Sequence, residues 1–156
     1  MKRLLRLTCL FSVLVVLSAC ASGAPFTQLN PSLKPEMPQT GRIFFYRPSG
    51  AGAAIIPDVV LNGETVGRAV GQGFFYIDRP AGEYTVITTT EVKRKLSFVL
   101  EEGQTRYVRF KISIGFFVGH VFGELVDEAE ALPEIQKCKS IEEKKNSDNV
   151  SSKNKL

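Results

Sequence analysis

Three groups of residues in this 156-residue chain could do chemistry, and their spacing limits what that chemistry can be. His120 is the single histidine. As a general base it would need a nucleophile and an orienting acid, and as a zinc ligand it would need further donors. It sits between Gly119 and Val121, and no Gly-x-Ser-x-Gly elbow occurs in the chain. Acids that could serve it follow downstream in Asp127-Glu128-Ala129-Glu130 and Glu134. They lack the spacing and the glycine of a calcium loop, so they read as a solvated face. The basic run Lys93-Arg94-Lys95 lies between two strand candidates, where a charged turn is expected. The Gly-rich stretches "SGAGAA" (49–54) and "GRAVGQG" (67–73) lack the Gly-Lys-Ser/Thr of a phosphate loop and read as turns. The third group is Cys20, a thiol placed where an apolar run stops and small residues follow: "LSACASG" (17–23).

The segment before Cys20 sets the context. Met1-Lys2-Arg3 and Arg6 precede an apolar run from Leu7 to Leu17, broken by Thr8 and Ser12. A charged start followed by a short hydrophobic segment is the layout of a secretory signal. A bilayer-spanning helix needs about 20 apolar residues, and this run is about half that. Leu17-Ser18-Ala19-Cys20 resembles the lipobox of bacterial lipoproteins. That resemblance implies diacylglycerol on the Cys20 thiol, signal-peptidase cleavage between Ala19 and Cys20, and acylation of the new amino group. The residue types suit the chemistry: the thiol is the nucleophile, and small side chains let the protease reach the backbone. An ordinary secretory signal cut nearby, with Cys20 incidental, is the alternative. Two or more acyl chains anchor a protein stably where one does so only marginally. Ala21 is not Asp, and in lipoproteins Asp at this position favours inner-membrane retention. The resemblance therefore implies the periplasmic face of the outer membrane.

Composition then bounds the rest. Without residues 1–19, 137 residues remain, a size suited to one domain. Lys2, Arg3 and Arg6 leave with the signal, so 20 basic side chains become 17, against 16 acidic ones. The sequence pI near 9.0 is thus partly a property of the discarded segment and argues poorly for nucleic acid as a partner. No cofactor is implied. Of the three cysteines, Cys9 lies in the signal and Cys20 carries the proposed lipid, so Cys138 has no partner for an intramolecular disulfide. It reads as a free surface thiol near a tail.

Residues 20–41 hold Pro25, Pro31, Pro35 and Pro38, half of the eight prolines, without strand or helix periodicity. They read as a tether behind the lipidated cysteine, reaching about 60 Å if extended and about 25 Å on average if flexible. Residues 137–156 are rich in Lys, Ser and Asn and read as a disordered polar tail. Between them, 42–136 reads as an all-β domain. "RIFFYR" (42–47) is a strand ended by Pro48 and Gly50. Asn62-Gly63 joins two short apolar runs as a hairpin. "GFFYIDRPAGEYTVITTT" (73–90) reads as strand, turn, strand. "KLSFVLEEGQTRYVRFKISI" (95–114) reads as another hairpin, with Leu96, Phe98 and Leu100 on one face. After its turn, Val108, Phe110 and Ile112 face in, and Tyr107, Arg109 and Lys111 face out. A last strand falls within 115–126, and "ALPEIQKC" (131–138) reads as a short capping helix. Seven or eight short strands at this spacing predict a small antiparallel β-sandwich.

"DVVLNGETVGRAVGQGFFYIDRPAGEYTVIT" looks like a PEGA-type module. With Arg42–Pro48 before it and "EEGQTRYVRFKISIGFFVGH" after it, the chain resembles a bacterial lipoprotein family known as domain of unknown function 2846. The likeness covers about 42–136 and implies a small β-sandwich. It brings no catalytic residues, because no activity is established for that family.

The pairs Phe44-Phe45, Phe74-Phe75 and Phe116-Phe117 are the remaining candidates. Neighbours on a strand point to opposite faces, so a one-faced core would expose one Phe of each pair as a partner contact. The leading expectation is a non-enzymatic envelope lipoprotein, attached to the membrane by its lipid. It would bind an envelope protein or cell-wall partner through an edge strand or these aromatics. The rival is a small periplasmic hydrolase or ligand-binding lipoprotein using His120 and nearby acids. A structural spacer without a specific partner is the third reading.

Overall fold

The computed structural model describes residues 21–89, 95–114 and 119–141. In chain order these form α1 (Phe26–Leu29), β1 (Thr40–Arg47), β2 (Asp58–Leu61), β3 (Glu64–Arg68), β4 (Gly73–Pro80), β5 (Gly82–Thr88), β6 (Leu96–Leu100), β7 (Thr105–Ile114), β8 (Gly119–Val126), α2 (Glu128–Ile135) and β9 (Lys139–Ser140). Two sheets face each other, one ordered β8-β7-β1-β4-β9 and the other β3-β2-β5-β6. The β-sandwich expected from the sequence is present, with one short helix after its last long strand. Most pairings are antiparallel, but β1 pairs with β7 in parallel, and so does β4 with β9.

Local chemistry explains the strands that pair early. Asn62 and Gly63 adopt φ of 47° and 89°, the mirror-image turn that matches strand twist, and β2 and β3 form the expected hairpin. The Asn62 side chain continues the ladder: its Nδ2 donates to Glu83 O at 3.0 Å and its Oδ1 accepts from Thr85 N at 2.8 Å.

The other two predicted strand–turn–strand units are not hairpins. β4 pairs with β1 and β5 with β2 and β6, so Pro80–Gly82 carries the chain from one sheet to the other. Glu101–Gln104 does the same between β6 and β7. There Gly103 N donates to Thr40 O at 2.9 Å and Arg42 N to Gln104 O at 2.8 Å, which captures the turn beside β1 rather than beside β6. Alternation along each strand was legible from sequence, but which strand lies next to it was set by these longer-range bonds.

Between the sheets lies one apolar layer that includes Ile43, Phe45, Val59, Leu61, Val86, Leu100, Val108 and Phe110. A second apolar layer covers the outer face of the five-stranded sheet: Phe26, Phe44, Tyr46, Phe74, Tyr107, Ala131, Ile135 and Cys138. The fold is therefore three layers deep, and every residue of β1 is buried. Its doubled aromatic needs that arrangement. Phe45 points into the sandwich and stacks on Phe75 with ring centroids 4.9 Å apart, while Phe44 points outward and stacks on Tyr107 at 5.5 Å.

The outer layer overturns the expected tether. Residues 21–39 lie along the sheet as a strap. Phe26 is buried and packs edge-on against Phe74 at 5.1 Å. Ala21 N bonds Gly71 O, Gly23 N bonds Ser140 O, and Phe26 N bonds Cys138 O, at 3.2, 3.1 and 3.0 Å. Lower down, Arg42 donates to Ser32 O and Thr105 to Leu33 O. The prolines break periodicity without freeing the chain, because its carbonyls find partners on the sheet. The start of the expected tail is corrected for the same reason. Lys139–Ser140 adds to β4, and Cys138 is buried rather than on the surface.

Candidate functional site

The densest polar chemistry lies under α2. Asp127 caps this helix, its Oδ1 accepting from Glu130 N at 2.8 Å. The acids that follow bond side chains of the sheet, and of these Glu128 and Glu130 are also exposed to solvent. Arg109, on the outward face of β7, is buried. It donates to Glu124 at 2.6 Å, to Glu130 at 2.6 Å and to Glu134 at 2.9 Å. Lys111 meets the same Glu124 oxygen, Oε1, at 2.7 Å. Tyr46 donates to Glu134 at 2.8 Å and Tyr107 to Glu128 at 3.1 Å.

Burial, and then the carboxylate each one faces, pushes both phenols above the ordinary tyrosine range. Burial pulls the Arg109 guanidinium down, but its carboxylate bonds outweigh that and hold it firmly charged. Burial would raise Glu124, yet the bonds from Lys111 and Arg109 keep it below the usual carboxylate range. Asp127–Glu130 is exposed, as the sequence implied, and it also works with Glu134 as a clamp that fastens α2 to β7 and β8.

A second buried arginine fastens the strap. Arg42 makes a two-pronged bond to Asp78, at 2.7 and 2.8 Å, and lies 4.3 Å over the ring of Tyr76. The bond from Arg42 holds the Asp78 carboxyl below its usual range against the opposing effect of burial.

One side of the sandwich stays open. At the side opposite, Thr88 donates to Val121 O and joins the sheets. Here, among the described residues, β4 is paired on its outer edge only at Gly73 and Phe74, by β9. Ile141 N donates to Phe74 O at 2.9 Å. By the period of two, the backbone groups of Tyr76 and Asp78 face the same outer edge beyond it. Across the gap stands β3, the edge of the other sheet. Arg79 and Glu64 bridge the two edges at 3.1 Å. Between them lies a groove of about 330 Å³ lined by Val66, Gly67, Arg68, Phe75, Tyr76, Ile77 and Ile141. Gly67 makes room for it: a Cβ there would stand 2.6 Å from the Phe75 ring. Arg68 at the rim is exposed and faces Asp58 at 3.8 Å. A mainly apolar trough beside an unpaired strand edge is suited to an extended peptide, whose backbone extends the sheet while alternate side chains fill the trough.

The expected contact residues fare differently. Phe44, Phe45 and Phe74 are fully buried: Phe45 lies between the sheets, and the strap and α2 cover Phe44 and Phe74 on the face that a two-layer sandwich would leave bare. Phe75 is half-buried and lines the groove. Phe116 and Phe117 lie outside the described residues, as do Ala19, Cys20, Lys93 and Arg94. Tyr76, which the sequence reading passed over, is 39% exposed at the groove's edge. Only the register of β4 with β1 reveals it. His120 lies in β8 opposite Ser113, its Nδ1 buried without a hydrogen-bond partner among the described residues. Asp127 is seven residues along the same extended chain, about 23 Å away at strand rise. Glu130 and Glu134 are held by Arg109, which lies opposite Glu124, whereas His120 lies opposite Ser113. No group of three or more His, Cys, Asp or Glu placed to hold a metal occurs among the described residues. No helix among them is long and apolar enough to cross a membrane.

No solved structure matches the chain. A protein of Haemophilus influenzae described as uncharacterized is 29% identical over 141 residues, which cover 87% of this chain and 84% of that protein. Residues 38–121, from the end of the strap through β1 to the early part of β8, match DUF2846, described as a protein of unknown function. With over half its length in that match, including the strands that line the groove, the chain belongs to the DUF2846 family.

Proposed function

We propose that the protein is a lipid-anchored, non-catalytic module of the bacterial envelope that binds an extended segment of a partner protein in the β3–β4 groove. The observation that carries this reading is the groove itself: an apolar trough next to a strand edge unpaired beyond Phe74 among the described residues. The lipobox-like Leu17–Cys20 supports the envelope address. The strongly perturbed side chains of the outer face support a non-catalytic role, since each is engaged in fastening α2 or the strap. Partner side chains at alternate positions would enter between Val66 and Phe75, and an acidic residue would meet Arg68.

A photo-crosslinking amino acid placed at Arg68 or Tyr76 in intact cells tests this. Val99 serves as the control, exposed on β6 at the far side of the sandwich. Capture of the same protein from 68 and 76, and not from 99, is the expected result. Equal capture from all three positions, or capture from 99 alone, would refute the groove as the binding site.

A further inference from the structure

The two ends of the sandwich differ in a way that the partner groove does not explain. Ala21 follows Cys20 in the chain, is buried, and is tied by its N–H to Gly71 O. The backbone nitrogen that joins Ala21 to the preceding residue is thereby held beside Gly71. Gly71 in turn packs against the loop after β1: a Cβ on it would meet Ser49 O at 3.3 Å and the Gly50 Cα at 3.4 Å. That loop, Pro48–Pro57, reads "PSGAGAAIIP" and carries no charge, and Ala51, Gly52 and Ala54 are exposed. At the opposite end the exposed residues include Glu36, Glu101, Glu102 and Asp127.

Arg47 gives the loop its shape. It is 1% exposed, and its bonds go to carbonyls, with no carboxylate partner among the described residues. One terminal nitrogen donates to Ile55 O at 2.7 Å and Ala69 O at 3.1 Å, the other to Ala51 O at 2.6 Å and Gly52 O at 3.1 Å. A buried cation without a counter-ion is costly unless dipoles surround it. Here three of the four carbonyls belong to the loop, so the charge is met by organising it. The outcome is a fixed, uncharged surface beside Ala21, at the end of the sandwich that also carries exposed Lys139, paired with Gly73, exposed Lys95 at the start of β6, and the Asp58–Arg68 pair.

We propose that the Pro48–Pro57 loop is a bilayer-contacting surface, so that the body rests against the phospholipid headgroups around its own anchor instead of standing off on a tether. This rests on the lipid-anchor reading of Cys20. The uncharged loop enters the headgroup layer, and Lys139 and Lys95 meet anionic headgroups at the same end. The eight residues of β1, at about 3.3 Å each, put the Glu101–Gln104 turn about 26 Å farther from the bilayer.

The test uses the full-chain protein, purified from membranes and placed in vesicles of phosphatidylethanolamine and phosphatidylglycerol. An environment-sensitive dye is attached at Ala54→Cys or at Glu102→Cys, and quenching by lipids brominated on their acyl chains is read. Cys138 is buried and stays unlabelled in the folded protein. Intact mass reports the lipid on Cys20 separately. Strong quenching at 54 with none at 102, on lipidated protein, is the expected result. Equal quenching at both positions on lipidated protein would overturn the docking while leaving the anchor standing. A mature mass without the lipid increment would overturn the anchor reading and the docking with it.

Discussion

Replacing Arg109 with Met should loosen α2 before it unfolds the domain, and Cys138 reports the difference. The guanidinium is 10% exposed and bonds three carboxylates. At about 1.5–3 kcal/mol for each bond to a charged group, the three would total about 5–9 kcal/mol. That total needs discounting, because Glu130 is 52% exposed and Glu124 and Glu134 are 30% exposed, and water screens and re-solvates them. Lys111 also keeps hold of Glu124. The net loss works out at about 2–3 kcal/mol, below the roughly 3–5 kcal/mol for removing one partner of a fully buried pair, as the exposure of the acids requires.

Cys138 follows α2 directly and is fully buried, its thiol pushed up to about 12 by burial and by nearby Glu134. In a Cys9→Ser/Cys20→Ser chain it is the single thiol. Its labelling by an aromatic disulfide near neutral pH then follows the population in which α2 is lifted. A loss of 2–3 kcal/mol corresponds to labelling faster by about 30- to 150-fold. Arg109→Lys keeps the charge but not the planar fork and should fall between the two. Labelling of Arg109→Met at the parent rate would refute the clamp.

Asp78→Asn should strip Arg42 of its counter-ion and cost about 2–4 kcal/mol in urea unfolding, and adding Arg42→Met should restore part of that loss. Asp78 and Glu124 are held below their usual range, so the folded state binds their protons more weakly than the unfolded chain does. Their contribution is complete above the ordinary carboxylate values near 4 and is lost as pH falls below them, and unfolding followed from neutral to acid pH should show the decline. Tyr46 and Tyr107 run the other way: their raised values make stability fall as pH rises past about 10. Gly52→Ala meets both a φ of 63° and a contact of 2.2 Å with Ile112 Cδ1, whereas Gly63→Ala at φ 89° meets nothing within 4 Å. The first should cost about 2–3 kcal/mol and the second about 1 kcal/mol, read as the difference between their urea midpoints.

Strand alternation was legible wherever a single face decides it. Val108, Phe110 and Ile112 point inward as their period required, and Asn62-Gly63 made its hairpin. What composition concealed was the second buried face. Tyr107 and Arg109 fit the outward, polar half of the pattern, and they do point outward, but into a layer built by the strap and α2. The acidic cluster carried a readable signal that its charge obscured. Asp127 followed three residues later by Glu130 is a helix-start pattern, and Ala131 and Ile135 supply the buried stripe that follows it. The strap was harder to see. Its prolines remove both periods, and its anchors are backbone bonds to Ser140, Cys138 and Gly71, which leave no mark in side-chain type. The groove is harder again, because it arises from the order of strands: it exists where β3 and β4 are both edges, and no local stretch encodes that.

The doubled aromatics tie these points together. A strand that is apolar on both faces must be covered on both, and in β1 that need falls on Ile43–Tyr46 in full. In a protein with crossover helices on each face, the cover comes from the sheet's own connections. Here the connections between β1 and β8 either turn within one sheet or cross to the other, and none of their described residues belongs to the outer layer. Cover must come from the ends of the domain, and it does: residues 21–39 from one side, 127–141 from the other, joined by the bonds between residues 23–26 and 138–140. The segment that looks dispensable is therefore core. Cutting the chain before Thr40 would uncover Phe44 and Phe74 and remove Ser32 O from Arg42. The same bonds fix Ala21 at the edge of β4, so a lipid on its neighbour would hold the body by a rigid seam, with the open groove beginning at Ile141 beside that seam.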